Sequence, residues 1–360
     1  DEYDRALVFA LLAAEQARRQ HSLDIAERQY QIASQAPAGA DAATRYRIAR
    51  GLGEIRMRRG NYRAARQTLE AARHLAQGEP PLVTAEIEGV LGELAFKQGD
   101  MLSASRAIER GLSQLGFTVP RRWATYAALV LWETGVQTLH TWFPRQLVGR
   151  QARDHAQRDL LAVRLYSRLA RVFWFSRGTI KKFWAHLREL NLVERYAPTL
   201  ELAQAYSNHA AAMSLIPWFR RASRYAHRSF QIREQFGDLW GQAQTQHFHG
   251  VALYAASRFG ECIEICREAI RLLRQNGILS MAAFVAGFGE ERDRDYWRLL
   301  RQVIAYDPDQ IQMLYATPHA WTPFAAEEAA RGVIQPDLRK WELIEAWADS
   351  LPEKLGLAKS

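Results

Sequence analysis

Cysteine is almost missing from these 360 residues; the chain has two, Cys262 and Cys266, both within "ECIEICREAIRLL". Two thiols four residues apart cannot staple a chain of this size, so a disulfide scaffold is excluded and a reducing cytoplasm is the expected setting. Lysine is scarce too: only 6 of the 48 basic residues are lysine, which leaves 42 arginines. The formal charge of +9 is unevenly spread, with 39 basic and 26 acidic residues in 1–275 and 9 basic and 13 acidic residues in 276–360. Basic character therefore belongs to the first three quarters only. No GxxxxGK(S/T) loop occurs, which excludes that way of cradling nucleotide phosphates. No uninterrupted apolar run is long enough to span a bilayer. The most apolar window, Trp123 to Phe143, contains Glu133, Gln137 and His140, and is expected to form a buried helix pair. No signal-peptide pattern opens the chain, which starts on Asp1 and reads as an excerpt of something longer.

What the chain does have is a repeat. "GLGEIRMRRGNYRAARQTLEAARHL" from Gly51 matches "VLGELAFKQGDMLSASRAIERGLSQL" from Val90 at an offset of 39. Leu52 and Gly53 fall on Leu91 and Gly92, Gly60 and Asn61 on Gly99 and Asp100, Ala65 on Ala104, and Leu69 on Ile108. Each copy predicts a helix, a short turn and a second helix. The apolar residue after the turn recurs as Leu23, Tyr62, Met101, Ile180, Phe219 and Phe259, spaced 39, 39, 79, 39 and 40, the 79 spanning a degenerate copy. Six or seven hairpins are thus expected over residues 1–275. A single hairpin has one apolar face too many, and stacking buries that face in a continuous seam. Ala26, Ala65, Ala104 and Ala222 follow the turns where two helices can approach closely.

These motifs resemble the tetratricopeptide repeat, and the stretch from Arg171 to Leu273 resembles the helical-repeat region that follows the ATPase module of large bacterial signalling proteins. The resemblance implies a mainly α solenoid that serves as a regulatory scaffold, with a protein or peptide partner on its surface and no catalytic residue of its own.

After Gln275 the pattern changes. "ILSMAAFVAGF" predicts a buried strand. "ERDRDYWRLLRQVIAY" predicts a helix with Tyr296, Leu299, Leu300, Val303 and Ile304 on its apolar side, and "IQMLYAT" predicts a second strand. Strand, helix and strand with short links make a βαβ unit with parallel strands. From about Arg271 to Trp341 the segments "GFGEERDRDYWRLLRQ", "YDPDQIQMLYATPHAWTPF" and "RGVIQPDLRKWE" resemble the end of the radical SAM domain of the cobalamin-linked subfamily that includes the anaerobic magnesium-protoporphyrin ester cyclase. That likeness implies Gly287, Glu290, Tyr315 and Thr317 as residues near a cofactor and substrate region. The CxxxCxxC cluster motif and most of the barrel are missing, so no cofactor and no enzymatic activity are expected. The predicted organisation is a solenoid over 1–275, a radical-SAM-like fragment over 276–346 with a helix near Leu338 to Asp349, and a flexible tail over 347–360.

Several clusters invite chemistry. Cys262 and Cys266 lie on one helical face and read as small core residues; a zinc site would add His249 from the preceding helix. Arg220, Arg221, Arg224 and Arg228 form a stripe, and Lys181 and Lys182 add a second small patch, but no nucleic-acid-binding fold accompanies them, so a solvated face is expected and nucleic acid is not. Phe173, Trp174, Phe175, Phe183, Trp184 and Trp218 read as repeat core. No serine or cysteine stands in an activating motif. A scaffold is therefore the leading expectation, ahead of a radical SAM remnant acting on a tetrapyrrole-like substrate and of a nucleic-acid-binding repeat.

Overall fold

The computed structural model describes residues 2–20, 22–35, 41–152, 156–176, 178–275, 277, 279–286, 292–315, 327 and 329–332. Fifteen helices and two strands lie among them, in two compact units, residues 1–272 and 273–360. The first unit is an α-solenoid. Its hairpins pair α1 (Glu2–Arg19) with α2 (Leu23–Ser34), α3 (Ala42–Arg58) with α4 (Tyr62–Leu75), and α5 (Pro81–Lys97) with α6 (Met101–Gln114). After an interruption, α9 (Gln157–Phe175) pairs with α10 (Thr179–Val193), α11 (Leu200–Leu215) with α12 (Phe219–Gln235), and α13 (Leu239–Ala255) with α14 (Phe259–Gln275).

The residues that marked the repeat open the second helix of each hairpin, and the turns before them explain why. Gly60 and Gly99 take φ of +79° and +80°, the left-handed region that glycine enters without a Cβ clash. The next residue caps the new helix: Asn61 accepts from the Ala64 N–H and Asp100 from the Ser103 N–H. Close approach then follows from small residues. A Cβ on Gly53 would meet Leu69 at 2.5 Å, one on Gly92 would meet Ile108 at 2.6 Å, and one on Gly250 would meet the Cys266 sulfur at 3.1 Å. In all three hairpins the pair is sixteen residues apart. Cys266 therefore takes the place that Leu69 and Ile108 hold in earlier copies. Ala65, Ala104 and Ala222 are fully buried beside such contacts, and Ile55, Leu69, Leu94, Ile108, Leu165 and Leu190 continue the apolar seam from hairpin to hairpin.

The degenerate copy does not form a hairpin in the stack. Residues 123–147 make one long helix, α7 (Trp123–Trp142), and a single turn, α8 (Pro144–Leu147). Helices α5 and α6 pack directly on α9, closing the seam, and α7 lies against α10 on its flank, reaching the core through Tyr126. The expected buried helix pair at 123–143 is thus a single helix on the flank of the solenoid. The chain returns through a short backbone bridge, in which the Gly149 N–H donates to the Glu194 carbonyl and the Gln151 N–H to the Arg195 carbonyl. Six hairpins rather than seven stack among the described residues.

In the second unit β1 (Met281–Ala286) and β2 (Gln310–Tyr315) are parallel, in register from Met281–Gln310 to Ala286–Tyr315, joined through α15 (Asp293–Tyr306). The strand entrances are clamped: Asp309 accepts from the Ser280 N–H and hydroxyl, both at 2.7 Å, which holds its carboxyl down to about 2. Of the apolar residues expected on one side of α15, Val303 is buried whereas Tyr296, Leu300 and Ile304 are exposed. The helix expected near Leu338 to Asp349 and the tail over 347–360 lie outside the described residues.

Candidate functional site

Helix α7 is inverted. Its buried residues are Tyr126, Glu133, Gln137 and His140, a polar stripe at spacings of seven, four and three that turns inward onto α10. Tyr126 joins the core, with Leu129 and Val130 half-buried against it, but the other large apolar residues turn outward: Leu131 is 75% exposed, Trp123 74%, Trp142 70% and Trp132 66%, against 2% for Glu133. A surface helix ordinarily does the opposite.

Polar bonds hold it there. The Glu133 carboxylate accepts from Arg188 Nη1 at 3.0 Å and from Asn191 Nδ2 at 2.8 Å, and the same amide also donates to the Glu133 carbonyl. One turn on, Gln137 donates to Glu194 at 2.9 Å and His140 Nδ1 lies 2.7 Å from the same carboxylate oxygen. At the C-terminal end Thr141 accepts from Arg221 Nη1 at 2.9 Å. Buried charges are tolerated only when paired and bonded, and this stripe meets that requirement through α10 and its C-terminal turn.

Arg221 carries the network inward. Its Nε donates to His209 Nε2 at 2.9 Å, which places the His209 proton on Nδ1, and that atom donates to His186 Nε2 at 3.0 Å. The His186 proton is then on Nδ1, 3.9 Å from Glu189. Burial sets the charges of this chain of groups. It pushes the Glu189 carboxyl up to about 8, holds His186 down to about 4, and lowers His209 with help from His186 and Arg221. Glu189, His186 and His209 are therefore neutral near pH 7.

Outside, cations bracket the apolar face. Arg121 and Arg122 precede α7 and Arg145 follows it; all three are exposed and have no ion-pair partner among the described residues. No exposed acid stands on α7 or α8. Lys181 lies 5.7 Å from the Tyr126 ring near the N-terminal end. At the other end Arg221 also lines a surface cavity of about 520 Å³ together with Pro217, Trp218, Phe219, Arg220 and Arg224.

Other residues singled out in the sequence are scattered. Phe173 and Trp184 are core, packed edge-on against Tyr126, but Trp174, Phe175 and Trp218 are largely exposed at helix ends, Phe175 with one ring contact to Phe96 of α5. Of the arginine stripe, Arg220 and Arg224 are solvated, Arg228 is half-buried over the Tyr225 ring, and Arg221 is tied into the network above, so the stripe is not one solvated face. Gly250, not His249, faces the cysteines. Cys262 donates to the Gly250 carbonyl at 3.3 Å, and His249 turns to α12, where it meets Ser223 at 3.2 Å and the His227 ring. Burial and the neighbouring Cys262 raise the Cys266 thiol to about 11. Among the described residues no three His, Cys, Asp or Glu side chains are arranged to hold a metal ion. An iron–sulfur cluster of the radical SAM kind does not fit here, because the donor set is two thiols on one helix facing a glycine backbone. Tyr315 ends β2 opposite Ala286; Gly287, Glu290 and Thr317 lie outside the described residues. The inward stripe Glu133, Gln137 and His140 was the signal for the inverted helix, three polar residues at helical spacing inside an apolar window.

Among the described residues no helix is long and apolar enough to cross a membrane. No family model matches the chain. A 76-residue segment, 21% of the chain, is 57% identical to the anaerobic magnesium-protoporphyrin IX monomethyl ester cyclase of Synechocystis sp., of whose length it spans 15%. Among solved structures, BtubC (BKLC) from P. vanneervenii aligns over 81% of this chain and all of its own, with 17% identity and a TM-score of 0.46. The TPR2AB domain of yeast Sti1 in complex with pHSP90 aligns over 75% of this chain and 91% of its own, with 15% identity and a TM-score of 0.26.

Proposed function

We propose that this chain is a non-catalytic protein-interaction scaffold, a regulatory segment of a bacterial, cytoplasmic signalling assembly. The observation that carries the reading is α7, a helix fixed to the solenoid by a buried polar stripe so that Leu131, Trp132, Leu139 and Trp142 stay in water. Exposing so much aromatic and aliphatic surface at one place costs solubility and is the usual mark of a surface that is covered in the working complex. Large aromatic residues supply most of the binding energy in such contacts. The test is quantitative capture from a bacterial extract by the whole chain and by its Trp132→Glu variant, compared by mass spectrometry. Proteins that the variant loses are the expected result, and an unchanged set from the two baits overturns the reading.

The 57% identity to a cyclase segment supports a second reading, in which the chain is part of a radical SAM enzyme acting on a tetrapyrrole-like substrate. Isothermal titration with S-adenosylmethionine decides it: heat of binding favours this reading, and none removes it.

A further inference from the structure

We propose that the occupant of the α7 face is an amphipathic helix of a partner protein, apolar along one stripe and acidic at both of its ends; this rests on the protein-interaction reading above. Three features of the face select that partner. Its length is that of a helix: twenty residues at 1.5 Å each give about 30 Å, enough for a partner helix of similar length. Its relief suits helix-on-helix packing, because the outward arc mixes Ala124, Ala128 and Gly135 with Leu131, Trp132, Leu139 and Trp142, and small residues leave holes into which a partner's side chains fit. No neighbour stands within 4 Å of where a Gly135 Cβ would be, so that hole is open to solvent.

Charge decides among the helices and surfaces that meet those two conditions. Arg121 and Arg122 stand at one end of α7 and Arg145 at the other, and the outward arc between them has no charge of either sign. Carboxylates at both ends of the partner answer this pattern in either direction of crossing. A second copy of this chain does not: an antiparallel pair sets Arg121 and Arg122 against Arg145 of the other copy, and a parallel pair sets each arginine against itself and Trp142 against Trp142. A lipid surface is answered less well, since a helix lying in a bilayer interface carries its cations along its polar flank. The polar flank of α7 faces the protein and carries Glu133 instead.

The experiment uses the whole chain and two fluorescent peptides of about 20 residues, the length of α7. Both have the same leucine and alanine stripe; one has glutamates at its two ends and the other lysines. Fluorescence anisotropy is expected to show the glutamate-ended peptide binding at least about tenfold more tightly at low salt, the gap narrowing as salt screens it. Arg121→Glu with Arg122→Glu and Arg145→Glu is expected to reverse the preference, and Trp132→Glu to abolish binding of both peptides. Leu131→Thr serves as a second variant if Trp132→Glu fails to fold by circular dichroism. Equal affinity for the two peptides, or no binding of either, overturns the proposal. So does sedimentation with phosphatidylglycerol vesicles, or a dimer by light scattering, that Trp132→Glu removes. If Trp132→Glu loses captured proteins while the two peptides bind alike, the scaffold reading stands and the acidic-ended helix falls.

Discussion

Helices α6 and α7 follow one another in the chain and bury opposite kinds of surface. On α6, Ala104, Ala107, Ile108 and Leu112 are buried and the charged residues Arg106 and Arg110 face outward. On α7 Glu133, Gln137 and His140 are buried and Leu131, Trp132 and Trp142 face water. Helix α6 is held by area removed from water, a non-directional force that asks only for complementary shape. Helix α7 touches the core through Tyr126, Leu129 and Val130 near its start, and from Glu133 onward is held by hydrogen bonds and one ion pair, which ask for named partners, here Arg188, Asn191, Glu194 and Arg221. From Glu133 onward the buried residues of α7 are all polar, so the polar stripe decides which way that part of the helix turns.

The largest effect expected from breaking this contrast is at the ion pair. Glu133→Ala leaves Arg188 half-buried without its carboxylate and Asn191 with only the main-chain carbonyl of residue 133 to donate to, and should cost about 3–5 kcal/mol in urea unfolding, with recovery when Arg188 and Asn191 are also made apolar. On the apolar side, Gly92→Val forces side-chain atoms against Ile108 and the Ala104 carbonyl, for a loss of roughly 1–3 kcal/mol.

The buried network should also give stability a pH optimum. Between the ordinary carboxylate range and about 8 the unfolded chain has released the Glu189 proton and the folded chain has kept it, so stability falls as pH rises across that window. His186 and His209 act in the other direction: below 6.5 the unfolded chain takes up protons that the folded chain refuses, so stability falls as pH drops toward 4. The maximum is expected near 6.5, with a decline of roughly 2 kcal/mol by pH 8 that Glu189→Gln removes, as thermal melts across this range would show.

Smaller effects sharpen the comparison. Gly135→Ala, on the open face of α7, should raise stability by about 0.5–1 kcal/mol, the reverse of any addition at Gly92, because its new methyl meets nothing and stiffens the helix. Trp132→Glu should change stability by no more than about 0.5 kcal/mol, since the ring packs on little, and its effect should appear in binding alone.

Much of the solenoid was legible. The 39-residue offset, the Gly60–Asn61 and Gly99–Asp100 turns and the pairing of Gly53 with Leu69 and Gly92 with Ile108 are local in sequence, and each has one geometric answer. The βαβ connection was legible for the same reason, strand and helix periods being short-range signals. The site was not. Glu133, Gln137 and His140 were visible as interruptions of an apolar window, yet their partners lie 54 to 58 residues away, and nothing in the window itself names Glu194 or Arg188. Trp174, Phe175 and Trp218 resembled core because hydrophobicity reports what a side chain gains by burial, not whether a neighbour is present to bury it.

By itself, then, the amino-acid sequence determined that the first 275 residues repeat as helical hairpins and that the rest begins a parallel strand pair, because capping, turn and close-packing requirements are met by residues within one repeat. Only the tertiary structure decided that the degenerate copy leaves the stack and that its helix turns its tryptophans outward. That choice depends on hydrogen-bonding partners from α10 and α12, which the fold brings to α7 and the chain order does not.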